Sequence, residues 1–169
     1  KIIIDSKEKR INIKPFKFSH SDEELFIEEF SSSPNQQRLK LSFKDVQLKS
    51  ILSEIPRLDL DGKLNGTIDF DKTDQQYLAN SSIKITPLSI NNYPYETVSI
   101  DVTADKGLQS FNLMGSVIDN QQKVMNIEGY FEVNETGIPL DISVNLNEFP
   151  FAPFSPLGKN TLSNFKGSF

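Results

Sequence analysis

"LDLDGKLNGTIDF", residues 58–70, puts Leu58, Leu60, Leu64, Ile68 and Phe70 on one parity and Asp59, Asp61, Lys63, Asn65, Thr67 and Asp69 on the other. Successive side chains of a strand point to opposite faces, so this period of two predicts a β-strand with one apolar and one wet face. Gly62 and Gly66 interrupt the apolar row. Their missing side chains suit a curved backbone that approaches its opposite wall, a trough left wide enough for a ligand, or a bulged sandwich.

The same alternation recurs on both sides of this stretch. It is carried by "LKLSF" (Leu39, Leu41, Phe43), "SIKIT" (Ile83, Ile85), "TVSIDVTA" (Val98, Ile100, Val102, Ala104), "SFNLMGSVI" (Phe111, Leu113, Gly115, Val117), "VMNIEGYFEV" (Met125, Ile127, Gly129, Phe131, Val133) and "LDISVNL" (Leu140, Ile142, Val144, Leu146). The connectors "DKTDQQ", "NNYPY", "ADKG", "DNQQ" and "NETG" are short and rich in turn-forming residues. Short connectors join antiparallel neighbours, because parallel pairing needs crossovers of roughly a dozen residues. The expected fold is all-β, a long antiparallel meander. One segment departs from it: "VQLKSILSEIP" spaces Leu48, Ile51, Leu52 and Ile55 as one face of an amphipathic helix of two or three turns ending at Pro56. "SDEELFIEEF" reads as a strand from about Glu24.

The 169 residues suit one domain, and a formal charge of -5 argues against nucleic acid as a partner. With no cysteine, disulfides and thiolate chemistry are excluded. The opening "KIIIDSKEKRINIKPF" carries an apolar run too short for a signal peptide or a spanning helix. The chain starts without Met and stops at Phe169 within an alternating run, so it reads as a fragment of a longer protein, with any targeting signal elsewhere. His20, the only histidine, lies in the polar "FSHSDEE" and reads as a surface residue. Asp69, Asp71 and Asp74 lack the Gly and Glu positions of a calcium loop and read as a solvated turn. Neither nucleophile elbow, P-loop nor dinucleotide fingerprint occurs, so no enzyme activity, metal or cofactor is expected.

An internal repeat is visible at a shift of 101 positions, which lays Leu41 on Ile142, Phe43 on Val144, Leu48 on Phe149, Leu64 on Phe165, Gly66 on Gly167 and Ile68 on Phe169. Upstream, "LFIEEF" matches "MNIEGYF" at a shift of 100, giving units of about 24–70 and 124–169. Each unit runs from a strand through an amphipathic or aromatic-proline patch ("QLKSILSEIP", "EFPFAPFSPL") to a strand ending in a glycine step ("LNGTIDF", "FKGSF"). This order, with "DVQLKSIL…LDGKLNG" and "NEFPFAPFSPL…LSNFKG", resembles the C-terminal region of TamB-like translocation and assembly module proteins of the AsmA-like group, in the form found in Bacteroidota. Ser163 where the first unit has Gly62 departs from the pattern.

The resemblance implies a sheet curled into a U-shaped groove, in a periplasmic segment of a protein anchored to the inner membrane outside this fragment. It implies phospholipid passage along the groove, support for outer-membrane protein assembly with an outer-membrane barrel protein, and packing against flanking segments of its own chain. The groove lining would then be Leu60, Leu64, Ile68, Val98, Ile100, Val102, Leu113, Val117, Ile127, Phe131, Ile142 and Val144, with the helix and the "FPFAPF" patch covering an open end or edge. Burying a methylene is worth about 0.8 kcal/mol, so a 16-carbon tail leaving water gains on the order of 10 kcal/mol. The residues alone leave a second reading open, a closed β-sandwich forming a cell-surface binding module for carbohydrate or protein, for which Tyr93 and Tyr95 are the candidate platform. A jelly-roll bridge for lipopolysaccharide predicts the same groove with another cargo.

Overall fold

The computed structural model describes residues 2–52, 56–73, 76–104, 110–132 and 139–157. Ile55, Asp74, the connector "ADKG" after Ala104, the connector "NETG", Val133 and the repeat positions from Ser163 to Phe169 lie outside the described residues. Within them the chain forms twelve strands: β1 (Ile2–Asp5), β2 (Arg10–Ile13), β3 (Phe16–His20), β4 (Glu23–Ser32), β5 (Gln36–Gln47), β6 (Leu60–Thr73), β7 (Gln76–Ile90), β8 (Tyr93–Tyr95), β9 (Thr97–Ala104), β10 (Ser110–Asp119), β11 (Gln122–Glu132) and β12 (Leu140–Leu146). All belong to one antiparallel sheet that runs β1-β2-β4-β5-β6-β7-β9-β10-β11-β12. The two strands off this path are halves of interrupted ribbons. β2 and β3 both pair with β4 on either side of Lys14-Pro15, and β8 and β9 both pair with β7 on either side of Glu96. The result is the expected meander, curled but not closed into a barrel. A sandwich would need a second sheet facing the first, and the described strands form one.

The alternation in the sequence becomes a set of apolar rungs across this sheet. One runs Leu25, Phe43, Gly66, Ile83, Ile100, Gly115, Ile127, Val144. The next runs Ile27, Leu41, Ile68, Ser81, Val102, Leu113, Gly129, Ile142. On the side of the strand ends where β5 meets the helix, a third runs Val46, Leu64, Ile85, Val98, Val117, Met125, Leu146. The opposite face is wet and cross-linked by charge. Lys17 meets Glu24 at 3.0 Å, Lys40 meets Glu28 at 3.1 Å, and Arg38 meets Asp71 at 2.7 Å. Exposed pairs of this kind contribute little to stability and serve mainly to keep that face in water.

Bulges bend the strands between the rungs. The register slips in β5 between Phe43 and Val46, where Asp45 has φ 51° and donates its backbone N–H to Asn65 Oδ1 at 3.0 Å. It slips again between Gly62 and Leu64 of β6, where β7 carries Pro87 at a position free of ladder pairing. The two-residue turns at Asn91-Asn92 and Asn120-Gln121 have positive φ at both residues, the geometry that matches strand twist in a tight hairpin.

Three expectations need correction. The helix is a single turn, α1 (Leu48–Ile51), not two or three: its N-cap Gln47 makes no side-chain cap bond, and Leu52 is already extended at ψ 133°. With one hydrogen-bonded turn there is no propagation to offset the nucleation cost, so packing of Leu48 holds it. Only Asn91-Asn92 of "NNYPY" is a turn, since Tyr93–Tyr95 continues as strand. Asp69 and Asp71 are strand residues of β6, with Asp71 committed to Arg38, and are not in a solvated turn.

Candidate functional site: an apolar face partly covered at one end

The twelve residues expected to line a groove all lie on the apolar face, but in two environments. Ile68, Ile100, Val102, Leu113, Ile127, Phe131, Ile142 and Val144 stand where no described segment covers them fully. Ile100 is 39 %, Ile142 41 % and Val144 49 % exposed. Leu64 and Val117, by contrast, are buried, and Leu60 and Val98 pack against them. What covers these four is a cluster at one end of the strands, built from Leu48 of α1, Leu88 and Ile90 of β7, Tyr95 of β8, Val124 of β11 and Phe149.

Local rules place each member of this cluster. The hairpin at Asn91-Asn92 pairs Ile90 with Tyr93 and Leu88 with Tyr95, so both tyrosines inherit the apolar parity of β7. After β12, Glu148 turns the chain at φ 49° and the segment Glu148–Leu157 runs back over the strand ends, with a single 3₁₀ turn at Ala152–Phe154. The Phe149 ring stacks on Tyr95 at a centroid distance of 5.6 Å and meets Phe151 edge-on at 5.0 Å. Two polar anchors fix this strap: Tyr95 Oη donates to the Pro150 carbonyl at 2.8 Å, and Asn91 Nδ2 donates to the Pro153 carbonyl at 2.7 Å. Beside them Tyr93 Oη donates to the buried Asp119 carboxylate at 2.7 Å.

This placement corrects the reading of Tyr93 and Tyr95 as an exposed platform: Tyr95 is 1 % exposed, and Tyr93 is half-buried with its hydroxyl engaged. The signal was present in the sequence, because a two-residue Asn-Asn hairpin fixes which face receives the residues after it. The glycine gaps also have another origin. A Cβ on Gly66 would lie 2.1 Å from the Ser82 carbonyl oxygen, and one on Gly62 would lie 2.5 Å from that of Pro87. The space is thus taken by the backbone of the adjacent strand, neither by an opposite wall nor by room for a ligand. At Gly115 the side chain of Ile127 fills the gap, and at Gly129 the side chain of Ile142 and the Asp141 carbonyl oxygen share it.

The residues matched by the repeat can be placed where both partners are described. Leu41 and Ile142 stand on one rung, Phe43 and Val144 on another, and Leu48 and Phe149 are buried in the same cluster. For the upstream match, Ile27 and Ile127 occupy neighbouring rungs.

Burial pushes the Tyr95 hydroxyl far above the ordinary phenol range, with neighbouring Tyr93 and Asp119 adding to it. The hydrogen bond to Asp119 raises Tyr93 in the same direction. A phenol held protonated by the fold stabilises it fully below the ordinary value of about 10 and loses that contribution as pH rises through the raised folded value. Alkaline titration is therefore expected to ionise these two tyrosines late and together with loss of the strap, read as lagging tyrosinate absorbance that coincides with a change in near-UV circular dichroism. Ionisation of all four tyrosines near the ordinary value with the fold intact would contradict the buried placement.

The described residues hold no group of three or more His, Asp or Glu that could take a metal ion. What the site offers is area: a broad apolar face, wet on its reverse, with one end shielded by aromatic rings. No protein-family model, no curated protein and no solved structure matches this chain.

Proposed function

We propose that this chain is a periplasmic segment of a TamB-like bridge between the inner and outer membranes, whose apolar face receives phospholipid acyl chains or outer-membrane protein strands in transit. It works without a catalytic residue or cofactor, alongside an outer-membrane barrel protein and flanking segments of its own chain. The observation that carries the reading is the exposed stretch of the rungs, with Ile100, Ile142 and Val144 each more than a third open. An apolar face of this extent that the described residues leave uncovered marks a place where something apolar docks. An acyl chain gains on leaving water for such a face but little on leaving a membrane, which is what a path without deep traps requires.

The test is a photo-crosslinking residue placed at Ile100, on the apolar face, or at Thr103, on the wet one, in the periplasm of a Gram-negative host. Phospholipid adducts are expected at position 100 and not at 103. A folded protein that captures lipid at neither position would remove the groove reading.

A further inference from the structure

The strap Glu148–Leu157 lies on the very surface that the proposed function assigns to cargo. Phe149, 3 % exposed, shares one buried cluster with Leu64 and Val117, and Phe151, Phe154 and Val98 pack against that cluster. We propose that the strap is a gate over this end of the apolar face, occupying it when empty and lifting when an acyl chain fills it. The inference rests on the groove reading above.

Three features of the strap favour exchange over permanent closure. It is fastened by its rings, by the Tyr95 and Asn91 side chains and by an isolated β-bridge at Pro150, with no run of ladder pairing among the described residues. Replacing those rings by an acyl chain swaps one apolar cover for another, so the sheet beneath stays out of water in both states. Finally, Glu148, in the left-handed region just after β12, gives the strap a pivot at one rim. In such a two-state arrangement a ligand binds only the lifted fraction, so its apparent affinity is reduced by that fraction and rises when an anchor is cut.

The chain contains no tryptophan, so single reporters are clean. Phe149→Trp reports on the strap and Ile100→Trp on the uncovered face. The probe is lysophosphatidylcholine with a brominated acyl tail, kept below micelle-forming concentration, whose bromine quenches tryptophan on contact. Quenching at position 100 is expected over the same concentration range as a red shift at position 149. Adding Tyr95→Phe to Ile100→Trp is expected to lower the half-quenching concentration about two- to tenfold, the range set by loss of one net hydrogen bond. Quenching at 100 with unchanged emission at 149 and no effect of Tyr95→Phe would overturn the gate and leave the groove reading standing. Absence of quenching at 100 would overturn both. Should Phe149→Trp fail to fold, the Tyr95→Phe comparison decides alone.

Discussion

Gly66→Ala is expected to destabilise the sheet by about 2–4 kcal/mol, a large effect for adding one methyl group. Two causes act together. Gly66 has φ +145°, a conformation that side chains rarely adopt, and the new Cβ would sit 2.1 Å from the Ser82 carbonyl oxygen. That oxygen belongs to the paired backbone of β7, so relief requires breaking the ladder of the longest strand pair in the molecule. Gly115→Ala is the control. Its nearest neighbour would be Ile127 Cβ at 3.3 Å, which must give by a few tenths of an ångström, while the nearest backbone atom, the Ser99 carbonyl oxygen, lies at an ordinary 3.6 Å and no positive φ adds strain, so its cost is expected near 1 kcal/mol. Urea midpoints of the two variants measure the difference. Equal costs would mean that the β6–β7 approach is looser than its geometry.

Much of this architecture is legible in the chain because strand alternation is a local signal. Leu39, Leu41 and Phe43 announce β5, and Met125, Ile127, Gly129 and Phe131 announce β11, without help from any distant residue. The register followed where turns were tight, since Asn120-Gln121 leaves one way to pair β10 with β11. The helix was overestimated for the opposite reason. Leu48, Ile51, Leu52 and Ile55 fit a helical face, yet that period says nothing about whether a partner exists for it, and only Leu48 of the described members finds one.

What alternation cannot show is where the apolar face is covered. Leu64 and Ile100 carry equivalent signals in their strands, yet one is 9 % and the other 39 % exposed, because the cover comes from other elements, from Leu48 of α1 to Phe149 beyond β12. The bulges are equally hidden: Asp45 at positive φ and the Asn65 side chain that satisfies its N–H read as ordinary outward residues. The glycines stand out in the sequence, but only the register reveals that the space beside Gly62 and Gly66 belongs to a neighbouring strand.

That uneven cover yields the other large expected effect. Phe149→Ala removes a ring that is 3 % exposed and stacked on Tyr95, so the loss of burial together with the cavity left behind is expected to cost about 3–5 kcal/mol. It should also release the strap, leaving the end of the face over Val117 and Leu64 open. Ile142→Ser, on a rung residue that is 41 % exposed at the edge strand β12, is expected to cost no more than about 1 kcal/mol. The contrast separates two kinds of apolar residue on one face. Phe149 is buried against Tyr95 when the strap is down and stabilises that closed state, whereas Ile142 is expected to contribute little to folding. If chemical denaturation returns similar costs for the two, the rungs act as core and no separate role for them is required. If the costs differ as expected, the apolar character of Ile142 and its neighbours answers to something other than stability, and contact with an apolar cargo is the role that their exposure fits.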